Sequence, residues 1–387
     1  MIGLYVHWPY CPTKCAYCDF NAYLAPSAEA FEQYARALCR EIVLASREEG
    51  LEGARVASIY FGGGTPSLFP TGSLVEVLDT LAARFKIDPD AEITAEANPS
   101  GLTRDALRTM RTSGVNRLSI GAQTFSTRLL ATLGRDHSPE DIVRAVDRAR
   151  EAGFDRLNLD VMFGLPDETD DLVLDTGFRA LALGTEHLSA YALELEPETV
   201  FGRKARRGEL VVPGEDDVAR RAVLLQDLFA DAGFLHYEVS NYARPGEASR
   251  HNLHTWRRGR YRGFGAGAHS FVGERRFWNH RHPAHYERIV SSGRLPVEAG
   301  EDVEEIARGE WVYLALRIFR LEAGRFRRTF GESLEQAFPR TLDWALGEGW
   351  LRLDGEDYVV AEDRRWLLNQ IAAPFLQEGR DPVHRSS

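Results

Sequence analysis

Cysteine is scarce in this chain of 387 residues: there are four, and three of them are Cys11, Cys15 and Cys18. So few thiols, so crowded, exclude a disulfide framework and point to a metal site in a reducing compartment. Long apolar runs are missing as well, and nothing approaches the roughly 20 residues that span a bilayer. The opening Met1-Ile2-Gly3-Leu4-Tyr5-Val6-His7 lacks the basic region of a secretory leader. Positive charge is in deficit, with 47 Lys and Arg against 58 Asp and Glu and a formal net charge of −11. That balance argues against a nucleic-acid partner, whose binding rests on neutralising phosphates. The expectation is a cytoplasmic globular protein with no transmembrane segment, no nucleic-acid partner, no internal repeat and no low-complexity tract.

What is present is alternation. Short β-rich runs at Gly3–Trp8, Val56–Phe61, Glu92–Ala97, Arg117–Gly121, Arg156–Met162 and His187–Leu193 are separated by stretches of helical periodicity. Strands alternating with helices imply parallel βαβ units. Six units without a GxGxxG fingerprint favour an α/β fold of the partial (β/α) barrel type over residues 1–235. In such barrels the chemistry sits at the C-terminal ends of the strands. Residues 236–300, rich in Gly, Arg, His and aromatics, read as an irregular connector. Residues 301–380 read as helices at Val303–Arg320 and Leu334–Leu346, a short hairpin turning at Asp354-Gly355, and a helix at Arg364–Phe375. That order suggests a small winged-helix-like domain. The tail Gln377–Ser387 is expected to be loose.

Cys11-Pro12-Thr13-Lys14-Cys15-Ala16-Tyr17-Cys18 is a C-x3-C-x2-C loop just after the first strand. Iron–sulfur clusters take cysteine thiolates as ligands, and three thiolates for four irons leave one iron open. Zinc is the alternative, but its structural sites use C-x2-C pairs and a fourth protein ligand. Cys39 lies in an amphipathic helix and reads as packing. Gly62-Gly63-Gly64-Thr65-Pro66 follows the second strand; it lacks the Lys-Ser/Thr of a phosphate loop, and glycine there allows close backbone approach.

The cysteine loop resembles the signature of the radical S-adenosylmethionine superfamily, C-x3-C-x-aromatic-C. The resemblance implies a [4Fe–4S] cluster on Cys11, Cys15 and Cys18. It also implies S-adenosylmethionine chelated at the open iron and cleaved to a 5′-deoxyadenosyl radical, with the glycine loop, including Gly64, Thr65 and Pro66, meeting the methionyl amine. Glu96 in Glu96-Ala97-Asn98-Pro99, Gln123 in Gly121-Ala122-Gln123, Arg135 in Leu133-Gly134-Arg135-Asp136-His137 and Asp160 in Asn158-Leu159-Asp160 match the oxygen-independent coproporphyrinogen oxidase branch. Strand-end carboxylates can take ribose hydroxyls, and Arg135 offers a fork for a carboxylate. Singly, each could be a solvated charge or a cap. Tyr5 and Tyr17 read as adenine-side residues or as core packing, and His7 as a supporting donor or a satisfied strand histidine.

The whole chain resembles the HemW-like haem chaperones, relatives of the coproporphyrinogen oxidase HemN. That oxidase has a fourth cysteine where Asp19-Phe20 stands here, and an extension ahead of the first strand. The chaperone family carries HNxxYW, and this sequence reads His251-Asn252-Leu253-His254-Thr255-Trp256, with Thr255 in the tyrosine's place. The resemblance implies haem as cargo, His251 as preferred iron ligand, Trp256 on the porphyrin face and His269 or His254 as competing ligands. Arg257, Arg258, Arg260 and Arg262 would meet the propionates; otherwise they form a solvated basic loop. The partners implied are a haem-acceptor protein and an electron donor, neither identified, with peripheral contact at a membrane acceptor left open. The alternative is a coproporphyrinogen oxidase-like enzyme of porphyrin biosynthesis.

Overall fold

A computed structural model describes residues 1–24 and 27–379. The chain begins with β1 (Ile2–Trp8), a short parallel pair β2 (Tyr10–Cys11) and β3 (Tyr23–Leu24) that brackets the cysteine loop, and α1 (Ala28–Glu48). Then follow β4 (Arg55–Gly63), α2 (Thr71–Arg84), β5 (Lys86–Ala97), α3 (Arg104–Thr112), β6 (Arg117–Gln123), α4 (Thr127–Leu133), α5 (Pro139–Glu151), β7 (Arg156–Phe163), α6 (Asp170–Ala182) and β8 (His187–Ala192). Five of the six strands read from the sequence form within two residues of their expected bounds, while β5 starts six residues early, at Lys86 rather than Glu92. The helices begin where side chains cap them: Ser27, Thr103, Ser126, Ser138 and Thr169 each accept a backbone N–H of the first turn.

Periodicity does not mark α7 (Val200–Arg206) or α8 (Glu215–Asp231), which come next. The stretch expected to be irregular is regular instead. It forms β9 (Leu235–Glu238), β10 (Asn241–Ala243), α9 (Arg250–Trp256), β11 (Tyr261–Phe264), β12 (His269–Val272), β13 (Arg275–Asn279), α10 (Pro283–Ser291) and β14 (Val297–Asp302). Strands this short offer too few residues for alternation to show. They join the main sheet, whose order is β14-β13-β12-β11-β1-β4-β5-β6-β7-β8-β10-β9. From β11 to β8 every neighbour is parallel, and both flanks are antiparallel. Among the described residues no ladder joins β9 to β14, so the barrel is partial.

Beyond it lie α11 (Ala307–Leu316), β15 (Arg320–Leu321), α12 (Ala323–Phe330), α13 (Leu334–Ala337), α14 (Pro339–Gly347), β16 (Leu351–Asp354), β17 (Asp357–Val360) and α15 (Leu368–Glu378). The helix expected over 334–346 is broken at Pro339, which has no N–H to continue the ladder. A third strand, β15, turns the expected hairpin into a small sheet, with its own core around Trp311, Phe326, Phe338 and Phe375. Most of the tail, 380–387, lies outside the described residues. No described helix is long and apolar enough to cross a membrane.

Period-two alternation sorts the barrel strands into two faces. Leu4, Val6 and Trp8 of β1, Ile59 and Phe61 of β4, Leu118 and Ile120 of β6 and Leu157 and Leu159 of β7 pack outward against the helices. The inner face is polar: Tyr5 and His7, Ser58 and Tyr60, Glu92 and Glu96, Arg117 and Ser119, Asn158 and Asp160, His187 and Ser189. Barrel interiors are ordinarily filled with branched aliphatic side chains. A polar interior must satisfy itself, since an unpaired buried polar group costs about 1–3 kcal/mol.

At the N-terminal ends of the strands Glu92 does this for α9. Its carboxylate takes Arg156 Nη2 at 3.0 Å, Ser249 Oγ at 3.2 Å and the backbone N–H groups of Arg250 and His251 at 3.1 Å each. Burial alone would raise this carboxyl, but Arg117, Arg156 and the two N–H groups outweigh it and hold it below the usual range. A depressed folded pKa means that the contribution is present at neutral pH and lost as pH falls through the folded value. We therefore predict that Glu92→Gln costs about 3 kcal/mol at pH 7 by leaving guanidinium groups unpaired. Urea unfolding should also show a shallower acid limb in the variant, and an unchanged pH profile would contradict the assignment.

Candidate functional site

The opposite end of the barrel carries the three thiols. Cys11 ends β2, and Cys15 to Cys18 form a turn closed by Cys18 N–H to Cys15 O at 3.3 Å. The loop is tied by its backbone: Ala16 N–H donates to Leu133 O at 3.0 Å, and Ala16 O accepts Phe201 N–H at 2.9 Å. So α7, which the sequence did not reveal, positions the cysteines. Thr65 Oγ1 donates to Cys11 Sγ at 3.3 Å, and Arg135 Nη1 lies 3.6 Å from Cys15 Sγ.

All four cysteines are free thiols. Burial pushes Cys18 up to about 11, opposed by the Phe20 backbone, with Cys15 and Cys11 raising it further. Burial likewise raises Cys11, opposed by the Thr65 hydroxyl and reinforced by Cys15. Thiols that raise one another resist joint ionisation unless a cation joins them, and thiolate ligands lose their protons on binding metal. Among the described residues no three His, Cys, Asp or Glu side chains could hold a single metal ion together. Three thiols without a fourth protein ligand, with a guanidinium and a hydroxyl directed at the sulfurs, fit an iron–sulfur cluster.

Beside the thiols the barrel rim collects polar groups. Glu96 accepts Tyr60 Oη at 2.8 Å and Gly63 N–H at 3.1 Å. Burial pushes its carboxyl up to about 7, the Tyr60 and Gly63 hydrogen bonds oppose that, and the like charge of Asp160 adds to it. Glycine is required here: a Cβ on Gly62 would stand 3.0 Å from the Tyr5 and Tyr60 rings, and one on Gly64 2.6 Å from Tyr10 O. Gly64 and Thr65 donate to Trp8 O and Tyr10 O, which carries Thr65 and Pro66 across to Cys11.

Arg135 Nη2 donates to Asn98 Oδ1 at 2.8 Å and Gly121 O at 2.9 Å, while its buried Nε has no partner. Burial works against its charge, but Tyr17 and Cys15 more than restore it. Gln123 adopts φ +66, and its amide folds back beside Gly121 and Arg135. Asp160, opposite Gly121 across the β6–β7 ladder, accepts Asn158 Nδ2 at 2.7 Å and Ser119 Oγ at 3.3 Å. Glu96, Gln123, Arg135, Asp160, Tyr17 and the thiols are thus gathered around one end.

Tyr5 lies deeper: its hydroxyl bonds His7 Nδ1 at 2.9 Å and its ring stacks on Tyr60. His7 Nε2 lies 3.0 Å from Asn21 O, which can only accept, so Nε2 carries the proton and Nδ1 accepts from Tyr5. Tyr60 and Ser58 were missed in the sequence; period-two alternation backwards from Gly62 was the available signal.

The haem candidates are not brought together. His251 is 8% exposed, at the N-terminal end of the barrel, with Nδ1 2.9 Å from Ser58 Oγ and its ring 5.2 Å from that of Tyr60. Trp256 Nε1 donates to Glu238 at 2.6 Å. Of the four arginines, Arg257 pairs with Glu322, Arg258 with Glu274 and Glu310, and Arg262 with Glu49. That reading of a basic loop facing propionates is corrected: these three guanidinium groups are spent on ion pairs within the fold. His269 is exposed on β12, beside Trp278.

A parallel partial barrel with a three-cysteine loop at the C-terminal ends of its strands defines a radical S-adenosylmethionine protein, and residues 5–178 match the Radical SAM superfamily model. That superfamily implies a [4Fe–4S] cluster and S-adenosylmethionine as cofactors. The chain is 41% identical to the heme chaperone HemW of Mycobacterium tuberculosis over 97% of its length and 94% of the relative's. It is 33% identical to HemW of Bacillus subtilis (98% and 100% covered) and 35% identical to HemW of Escherichia coli (97% and 98% covered). It belongs to the HemW family. Among solved structures, coproporphyrinogen III oxidase HemN from Escherichia coli shares the fold, with a TM-score of 0.83, 24% identity, and coverage of 97% of this chain and 89% of that one.

The Tyr60 hydroxyl favours ionised Glu96, so its loss has a signed consequence. In Tyr60→Phe the Glu96 carboxyl should titrate above about 7, read as the carboxylate infrared band against pH with Glu96→Gln as the blank. A lower midpoint would contradict the geometry.

Proposed function

We propose that this protein carries haem to an acceptor protein and holds a [4Fe–4S] cluster on Cys11, Cys15 and Cys18 with S-adenosylmethionine beside it. The observation that carries the reading is likeness over 97% of the chain to proteins named as haem chaperones. Cys11, Cys15 and Cys18 would hold the cluster, which would supply an electron for reductive cleavage of S-adenosylmethionine bound beside it. The chain's own part is to bind and orient. Glu96 and Asp160 accept ribose hydroxyls, and Arg135, with Gln123 beside it, faces the methionyl carboxylate. Gly64, Thr65 and Pro66 shape the methionyl side, Tyr17 packs toward the adenine, and Tyr5 sets His7 and Tyr60.

The cofactor barrel is built by residues 1–235 together with the strands of 236–300 that join its sheet; the latter stretch also bears the haem, and 301–380 is a winged-helix-like unit. The segment 251–269 supplies the haem ligand, and the cytoplasm, where thiols stay reduced, is its compartment. Electron donor and acceptor are separate proteins, the acceptor in solution or reached at a membrane surface.

The shared fold with coproporphyrinogen oxidase supports a second reading, an enzyme of porphyrin synthesis. Anaerobic reconstitution with iron, sulfide and S-adenosylmethionine separates the two, with haem uptake, 5′-deoxyadenosine and coproporphyrinogen consumption followed together. The expected result is haem uptake without consumption. Serine at position 11, 15 or 18 should abolish the cluster absorbance, and Cys39→Ser should leave it intact. Coproporphyrinogen turnover without haem uptake would transfer the protein to the second reading.

A further inference from the structure

Access to iron separates the three imidazoles. His251 is buried and its Nδ1 is engaged by Ser58. His254 is turned into the chain, with Nε2 2.7 Å from Arg260 O and its ring 2.4 Å from where a Gly259 side chain would begin. His269 is exposed, and among the described residues its ring makes no hydrogen bond or ion pair. It stands directly across the ladder from Trp278, with ring centroids 5.5 Å apart and planes 27° apart.

The face that carries this pair continues the inside of the barrel. β11 runs parallel to β1, with Gly263 opposite Tyr5, and β12 and β13 extend that surface past the barrel's open side. Ser270 and Asn279 turn the other way, toward Arg262 and α1. Partial desolvation against the sheet and the nearby guanidinium groups of Arg276 and Arg281 disfavour the protonated form of His269. Arg276 is engaged by Glu310 at 2.9 Å. Arg281 is exposed, and among the described residues its guanidinium forms no ion pair.

Exposed apolar side chains lie in the segment that packs beside this extension. Asn21 Nδ2 donates to Ala266 O at 3.0 Å and Arg281 O at 2.9 Å, and the Tyr23 ring lies 5.5 Å from that of His282. These contacts lay the segment after Cys18 against the extension and leave Phe20 and Leu24 58% and 62% exposed. Imidazole, guanidinium and exposed apolar side chains are the three chemistries that an iron porphyrin with free propionates requires.

We propose that haem is taken on the inner face of this antiparallel extension, with His269 as axial ligand, Trp278 fixing the imidazole plane and Arg281 meeting a propionate. The inference rests on the haem-carrier reading above. A porphyrin bound at His269 lies across the imidazole edge, so the stacked indole limits ring rotation rather than covering the macrocycle.

The test is a haemin titration of the full chain, read by the Soret band. His269→Ala should weaken binding by at least about tenfold, equivalent to about 1.4 kcal/mol, and shift the band. Added imidazole should restore the band in His269→Gly. Arg281→Glu should weaken haemin binding several-fold while leaving haem dimethyl ester, which has no free propionate, unaffected. A folded His269→Ala protein with wild-type band and affinity overturns the site and leaves the carrier reading standing. Loss of the band in His251→Ala alone overturns the site in the same way. Failure of the wild-type chain to take up haemin overturns both.

Discussion

A carboxylate shut away from water holds the return of the chain. Glu92 sits where the N-terminal ends of β4, β6 and β7 converge, and its two oxygens take four donors: one from Arg156 and three from Ser249, Arg250 and His251 at the start of α9. A buried charge is tolerable only when so completely paired. With α9 seated there, the chain reaches the far side of the barrel and lays β11 parallel to β1. Only from that position can β12 to β14 extend the inner face. Glu92 seats α9, and the β1–β11 ladder with the Arg262 and Asn279 contacts to α1 holds the last strands of the large sheet beyond it.

Two glutamates in one lumen show what the barrel does with charge. Glu92 is held low by two guanidinium groups, whereas Glu96 is pushed up to about 7. Desolvation raises both, so it does not distinguish them; the cations do. Glu96 has a tyrosine hydroxyl, one N–H and the like charge of Asp160 for company, and no guanidinium contact. A polar site left short of positive charge and of donors is one that a ligand completes. Between the two carboxylates run His251, Ser58 and Tyr60 in hydrogen-bond or ring contact, so the motif at the closed end supports the carboxylate at the open one.

Legibility in the sequence followed range. Strands β1, β4, β5, β6, β7 and β8 were readable because polar and apolar residues alternate within each and glycines punctuate them. The thiol loop was readable because its three ligands lie within eight residues. What escaped depends on distant partners: Arg262 meets Glu49 across 213 positions, and Glu92 meets His251 across 159. The arginine run after Trp256 looked like a basic loop because each neutralising carboxylate is remote. Likewise His251 looked like a free ligand because nothing local discloses Ser58.

The cysteine loop also joins the two sides of the rim. At Ala16 its backbone is bound to Leu133 and Phe201, on the side of α4 and α7. Three residues after Cys18, Asn21 is bound to Ala266 and Arg281 of the antiparallel extension, and its carbonyl to His7. So short a segment has few backbone torsions to absorb a displacement. Cys15 and Cys18 are thereby tied to Asn21, and through it to the backbone of Ala266 and Arg281, three residues from His269 and from Trp278 respectively. Thiol loop and the face of His269 and Trp278 are joined by chain connectivity and a handful of hydrogen bonds, and the loop that carries the sulfurs also sets the edge of the surface beyond it.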